Sequence, residues 1–282
     1  MKYGIHLFAT EASIQPGEFA AAVETRGFDS AWFSEHTHIP LGFLQSPREK
    51  RTLPEYYWQT YDPFIASGLA AAATTSLKIG TGVSLILQHD PISLAKSVAT
   101  LDQVSSGRFL FGVGVGWLAE EMENHGIRYQ TRYRQAGEQL AAMKLIWTEP
   151  EPEFQGNFIR FTKMKTYPKP LQSPHPPIIA GSGIGVKSME FIIEHCDGWM
   201  PIVGNTSWQQ IKDSLPKLKR QARQFGRDPD IIDLSVFCWS APDEFTIDDM
   251  AEQGINRIVI SLEAKSRDTA LRDLDEYTKL ND

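Results

Sequence analysis

The stretch DPISLAKSVATLDQVSSGRFLFGV, residues 90–113, holds one complete structural unit. Asp90 followed by Pro91 is a helix start signal, and Leu94, Val98, Leu101 and Val104 then recur at helical spacing to form one apolar stripe. Gly107 closes the helix. Residues 109–113 are an unbroken apolar run, too short for a helix and too continuous for a strand with one wet face. Such a run suits a parallel strand buried on both faces.

Similar runs occur at residues 3–8, 30–33, 77–83, 177–180, 198–202, 231–237 and 257–261, with helical patterns between them. Pro16 takes a first helical position, Phe19, Ala20 and Val23 share a face and Gly27 stops that helix, while residues 131–147 carry a second long stripe. Strand and helix alternating eight times predicts an α/β fold, a (β/α)8 TIM barrel, in preference to an open doubly wound sheet. No linker or low-complexity segment interrupts it, so residues 1–282 are read as a single domain. The connections after strands 2 and 4 are oversized. Loops after strands carry the site in such barrels, so these two are candidate lids at the C-terminal face.

A formal charge of -7, from 28 basic and 35 acidic residues, argues against nucleic acid or an anionic membrane surface as partner. Residues 212–227 spread their basic side chains at helical spacing among Leu215, Leu218 and Phe225, which reads as a solvated helix face. A small organic molecule is the expected partner. Cys196 and Cys238 lack metal-ligand spacing and sit among apolar residues, so a reduced pair in a cytoplasmic protein is expected. The opening MKYGIHLF runs straight into a strand pattern, which predicts neither a leader nor a membrane anchor.

Strand 2 ends Ser34-Glu35-His36-Thr37-His38, delivering a carboxylate and an imidazole to the catalytic face, where they can donate or accept protons. Capping of the strand end is an equally open reading. The spacing of His36 and His38 also invites a metal, but no second cluster completes the set, so no metal is expected. Gly80 and Gly82 in strand 3 permit either close approach of a planar ligand or a bulge. Gly112, Gly114 and Gly116 after strand 4 resemble a dinucleotide loop only weakly. Gly181-Ser182-Gly183, ahead of a helical stretch, suits a phosphate or a plain turn.

Residues 27–36 (GFDSAWFSEH), 101–109 (LDQVSSGRF) and 112–117 (GVGVGW) resemble the luciferase-like family of flavin- and deazaflavin-dependent oxidoreductases. YPKP at 167–170, PPIIAG at 176–181 and DGW at 197–199 follow in the same order, and the resemblance fades after about residue 240. It implies a cofactor ring at the barrel mouth, with His36 facing the ring and Glu35 orienting the imidazole or touching the ring. Gly82, Val83 and Ser84 match a bulge that backs the ring, often with a non-proline cis peptide. Gly114, Gly116, Trp117, Gly181, Ser182 and Gly183 match the segments that hold the cofactor's tail and phosphate. Luciferases pair the FMN phosphate with an arginine where this sequence has Val115, and GVGVGW followed by Glu120-Glu121 looks more like the subgroup that uses coenzyme F420.

The implied activity is hydride transfer between F420 and a small, largely apolar substrate, contacted by Phe43, Tyr57 and Trp58 of the first lid. The alternatives are an FMN-dependent monooxygenase using reduced flavin and oxygen, a non-catalytic flavin-binding barrel, and a metal-dependent hydrolase. Family habit suggests a homodimer.

Overall fold

A computed structural model describes residues 1–45 and 53–281. Eight parallel strands close on themselves: β1 (Lys2–Leu7), β2 (Ser30–Phe33), β3 (Lys78–Thr81), β4 (Phe109–Gly114), β5 (Ile178–Ala180), β6 (Gly198–Trp199), β7 (Asp233–Cys238) and β8 (Arg257–Ser261). β1 pairs with both β2 and β8, and the ring runs in sequence order through every neighbour. β3 resumes after a break as Ser84–Leu85 and β6 resumes as Ile202–Val203. One long helix follows each strand: α1 (Pro16–Thr25), α2 (Pro63–Ala73), α3 (Pro91–Val104), α4 (Arg132–Thr148), α5 (Val186–His195), α6 (Trp208–Gln224), α7 (Glu244–Glu252) and α8 (Arg267–Tyr277). The (β/α)8 barrel expected from the alternation is the observed fold.

The local signals act as their chemistry requires. Asp90 caps α3 by accepting the Ser93 amide, and Leu94, Val98 and Leu101 are buried against the barrel. Val104, expected in the same stripe, is 63% exposed because the helix ends there and turns through Gly107 at φ +75°. In α6 a capping box joins Ser207 to Gln210, and Ile211, Leu215, Leu218 and Ala222 form the buried face. Phe225 lies past the helix and faces solvent.

Most of the core lies between strands and helices, where each fully buried Leu, Ile or Phe contributes roughly 1.5–3 kcal/mol. A second cluster fills the barrel itself with Trp32, Leu110, Ile179, Met200, Phe237 and Val259. Here the glycine of strand 3 finds its reason. A Cβ on Gly80 would stand 2.3 Å from the Trp32 ring, so Gly80 makes room for core packing rather than for a ligand. At the N-terminal end Arg257 is buried between Asp29 and Asp233 and plugs the barrel floor. The C-terminal end is left open for the site.

Both cysteines are buried and free, and burial pushes their thiols up, Cys238 to about 12. Among the described residues, no helix is long and apolar enough to cross a membrane.

Candidate active site

A cavity of about 470 Å³ opens at the C-terminal mouth. Its walls come from strand ends: Phe8 after β1, Ser34 and His36 after β2, Val83 in the break of β3, and Phe237 and Trp239 at the end of β7. The first long loop contributes Phe43, Leu53 and Tyr57, and the loop after β4 contributes Trp117. Trp58, expected beside them, does not line the cavity and is 38% exposed.

His36 is the imidazole at this wall. Its Nδ1 lies 2.9 Å from Oε2 of Glu121, and the indole N–H of Trp117 approaches Nε2 at 3.4 Å. A ring that accepts at Nε2 carries its proton on Nδ1 and donates it to Glu121, so the partners assign the tautomer. Glu121 sits on a short helix, Ala119–Asn124, that turns Glu121 and Met122 inward. Its carboxylate is 1% exposed and also accepts the Thr37 amide at 3.2 Å. Burial by itself would raise the Glu121 carboxyl, but the hydrogen bonds it accepts, that of His36 first and those of Gln88 and Thr37 after it, hold the group below the usual carboxylate range.

Glu35, expected to orient the imidazole or to touch the ring, also lines the cavity, but the carboxylate on His36 is Glu121. The structure gives Glu35 other work. Its Oε2 accepts from Ser84 Oγ at 2.9 Å and from the Leu85 amide at 2.6 Å, and its Oε1 meets His89 Nε2 at 2.6 Å. Burial opposes a charge on His89, yet the bond and charge of Glu35 raise its pKa. Glu35 therefore pins the resumed part of β3, and Ser84, expected at the ring, spends its hydroxyl on Glu35. His38 turns away to Thr37 and Asn124 in an exposed cluster beside His125.

The break in β3 is the Gly82–Val83 bulge, and its peptide bond is cis. Ser34 Oγ donates to the Gly82 carbonyl at 2.9 Å and receives from His6 Nε2 at 2.7 Å. Behind Val83 lie two glycines: a Cβ on Gly114 would reach Val83 at 2.6 Å, and one on Gly181 at 2.5 Å. Val83 thus projects between the main cavity and a second chamber of about 310 Å³, which shares Trp117 and Gly181 with it. The glycine loops at 114–116 and 181–183 line that chamber, as do Val115, Tyr129 and Arg132. Two polar atoms there, Arg132 Nε and Ser182 Oγ, are buried without a hydrogen-bond partner.

An apolar barrel mouth joined to a glycine-lined chamber with vacant donors fits a planar ring that carries a polar, phosphorylated tail. The sequence profile of luciferase-like monooxygenases matches residues 12–279.

The chain belongs to that family.

The match extends well beyond residue 240, where the motif resemblance fades. This luciferase-like protein is 34% identical over 275 residues to an uncharacterised protein of Mycobacterium tuberculosis, covering 96% of this chain and 95% of that one. It is 39% identical over 160 residues to the FMNH(2)-dependent dimethylsulfone monooxygenase of Pseudomonas putida, covering 55% of this chain and 42% of the enzyme. An F420-dependent secondary alcohol dehydrogenase, solved with an F420-acetone adduct, superimposes with a TM-score of 0.76 over 97% of both chains at 19% identity, a likeness of fold. Relatives of this oxidoreductase family thus include users of both cofactors.

Proposed function

We propose that this luciferase-like protein is an F420-dependent oxidoreductase acting on a small, largely apolar alcohol, carbonyl compound or activated double bond. The observation that carries the reading is the His36–Glu121 pair at the cavity wall. When bound, F420 supplies hydride transfer without oxygen chemistry, and such a transfer at carbon requires a proton acceptor or donor at the neighbouring atom.

His36 meets that need. His36 lines the cavity, and among the described residues its Nε2 is held by the long contact to Trp117, so a substrate hydroxyl can take the place of the indole. In the oxidative direction Nε2 accepts the hydroxyl proton, and the imidazolium that forms is balanced by Glu121 across Nδ1. In the reductive direction Nε2 returns the proton. Phe8, Phe43, Tyr57, Phe237 and Trp239 exclude water and bury the apolar part of the substrate. Residues 82–84 would back the ring, and the loops at 114–117 and 181–183 would hold the tail.

A second reading, an FMN-dependent monooxygenase, draws support from the 39% identical stretch shared with an FMNH(2)-dependent enzyme. Fluorescence titration with F420, FMN and FAD, followed by anaerobic reduction, separates the two. Micromolar preference for F420 with turnover that consumes no oxygen is the expected result, and preference for FMN overturns the F420 assignment. His36→Ala should lower turnover by about 10²-fold or more with cofactor affinity intact. Near-normal turnover rejects the proton-transfer role.

The homodimer belongs to the same reading. Ile65 and Leu69, 68% and 52% exposed on one face of α2, support it, and sedimentation velocity checks it.

A further inference from the structure

We infer that Arg132, at the start of α4, is the anchor for the phosphate ester of the bound cofactor, with Ser182 Oγ as a second donor. The inference rests on the proposed flavin-type cofactor and names a ligand chemistry that F420 and FMN share, a phosphate ester on the ribityl chain. The position at which luciferases carry their arginine is Val115 here, 8% exposed and packed in the chamber wall. Judged by that position alone, the chamber has no cation. The fold brings one from elsewhere.

Arg132 stacks on Tyr129, with its guanidinium carbon 3.7 Å from the ring centroid, and lies 5.0 Å from Tyr133. Its Nη1 donates to the Tyr129 carbonyl at 2.9 Å, which fixes the plane of the fork. Nε is buried and unpartnered, and no described carboxylate pairs with the group. Two other arginines of the fold are held by acceptors: Arg257 between Asp29 and Asp233, and Arg108 on the carbonyls of Leu77, Ala71 and Thr74. A half-buried cation with a vacant donor is costly unless an anion completes it.

The surroundings are built for that anion. Ser182 presents a buried hydroxyl without a partner, and its carbonyl is fixed by the Trp199 indole N–H at 3.0 Å. Tyr133 joins Ser188 by a 2.8 Å hydrogen bond, which ties the Arg132 turn to the first turn of α5. The N-cap of α5 is Gly185, which offers no side chain to its free amides. An arginine fork and a hydroxyl lining the same chamber, at the loop that leads into α5, supply the donors that a phosphate takes.

The test uses two ligand pairs that differ in the phosphate: FMN against riboflavin, and F420 against the deazariboflavin that lacks phosphate and tail. Affinities are measured by fluorescence quenching on the parent chain and on R132A, R132K and S182A, with circular dichroism and melting to verify the fold. R132A should weaken the phosphorylated member of the bound pair by about 10- to 100-fold and leave the phosphate-free member within about twofold. R132K should fall between parent and R132A, because it keeps the charge and loses the fork. S182A should cost about 2- to 10-fold. Equal weakening of both members assigns Arg132 a structural role and overturns the anchor, as does an R132A protein that binds like the parent. A parent chain that binds neither pair overturns the cofactor reading itself and takes the anchor with it.

Discussion

Nδ1 of His36 lies 2.9 Å from Oε2 of Glu121, although 85 positions separate them in the chain. His36 follows β2 and Glu121 lies after β4, with β3 between those strands, and the 1% exposure of Glu121 keeps water from competing for the contact. A histidine fixed at one nitrogen by a buried carboxylate presents the other in a single orientation. This is the geometry by which a carboxylate positions an imidazole without itself touching the substrate.

Glu121→Gln should therefore lower turnover by about tenfold or more while cofactor affinity, read by fluorescence titration, stays within about twofold. The double variant His36→Ala/Glu121→Gln should be no slower than His36→Ala alone, because the glutamate acts through the histidine. Additive losses in that cycle would show that Glu121 has an independent role.

Glu35 predicts a different signature. Its bond to His89 raises the His89 pKa, so the contribution is complete below the unfolded value near 6.5 and is lost as pH rises through the folded value. Glu35→Gln should lose about 1–2 kcal/mol of stability at pH 6, and the gap to the parent should narrow above neutrality. Denaturant unfolding at pH 6 and pH 9 measures it. A gap that widens with pH would contradict the pairing.

The barrel was legible because a strand buried on both faces must be apolar throughout, and the observed strands fall within two or three residues of those runs. His36 was legible for a related reason, since a polar residue directly after a buried strand lies at the rim. Glu121 and Arg132 were not. Glu121 stands among Glu120 and Glu123, and nothing in the local sequence marks it as the one buried beside Met122. Arg132 and Arg134 flank Tyr133 at a helix start, where nothing local marks the one that faces a chamber. Trp58 stands outside the cavity lining, and nothing in the local sequence separates it from Tyr57, since both are aromatics of the same lid. In the Tyr56–Gln59 helical turn, Tyr57 lines the cavity and Tyr56 packs against Phe8 at a tilt of 40°.

Val83 is clamped between Gly114 and Gly181, whose added Cβ atoms would approach it to 2.6 and 2.5 Å. Gly181→Ala should then cost about 1–3 kcal/mol by overpacking and weaken cofactor binding. Val83→Ala/Gly181→Ala should recover part of the stability, since the clash is with the valine methyl. Urea unfolding of the parent, the two single variants and the double variant tests it, and a double variant no more stable than Gly181→Ala would place the strain elsewhere.

His6 closes the case from inside the barrel. It is fully buried, its Nε2–H donates to Ser34 at 2.7 Å and its Nδ1 receives from Ser261 at 3.0 Å, so the neutral ring satisfies both neighbours. Burial drives its pKa down to about 3. As pH falls below about 6.5 the unfolded chain binds this proton first, so stability declines from there toward pH 3, by at most about 1.4 kcal/mol per pH unit for one such group. His195, lowered to about 4 by burial and then by Lys144, adds a second contribution of the same sign. The lowered carboxylates, Glu24, Asp29 and Glu121, begin to count only below about pH 4.5. The interval from pH 6.5 to 4.5 therefore belongs to the histidines. His6→Gln, which keeps a donor and an acceptor, should start less stable at pH 7 but lose stability more slowly across that interval, its slope shallower by about 1.4 kcal/mol per pH unit. Unfolding free energies at pH 6.5, 5.5 and 4.5 give both slopes, and parallel lines would mean that His6 is not the group that resists protonation.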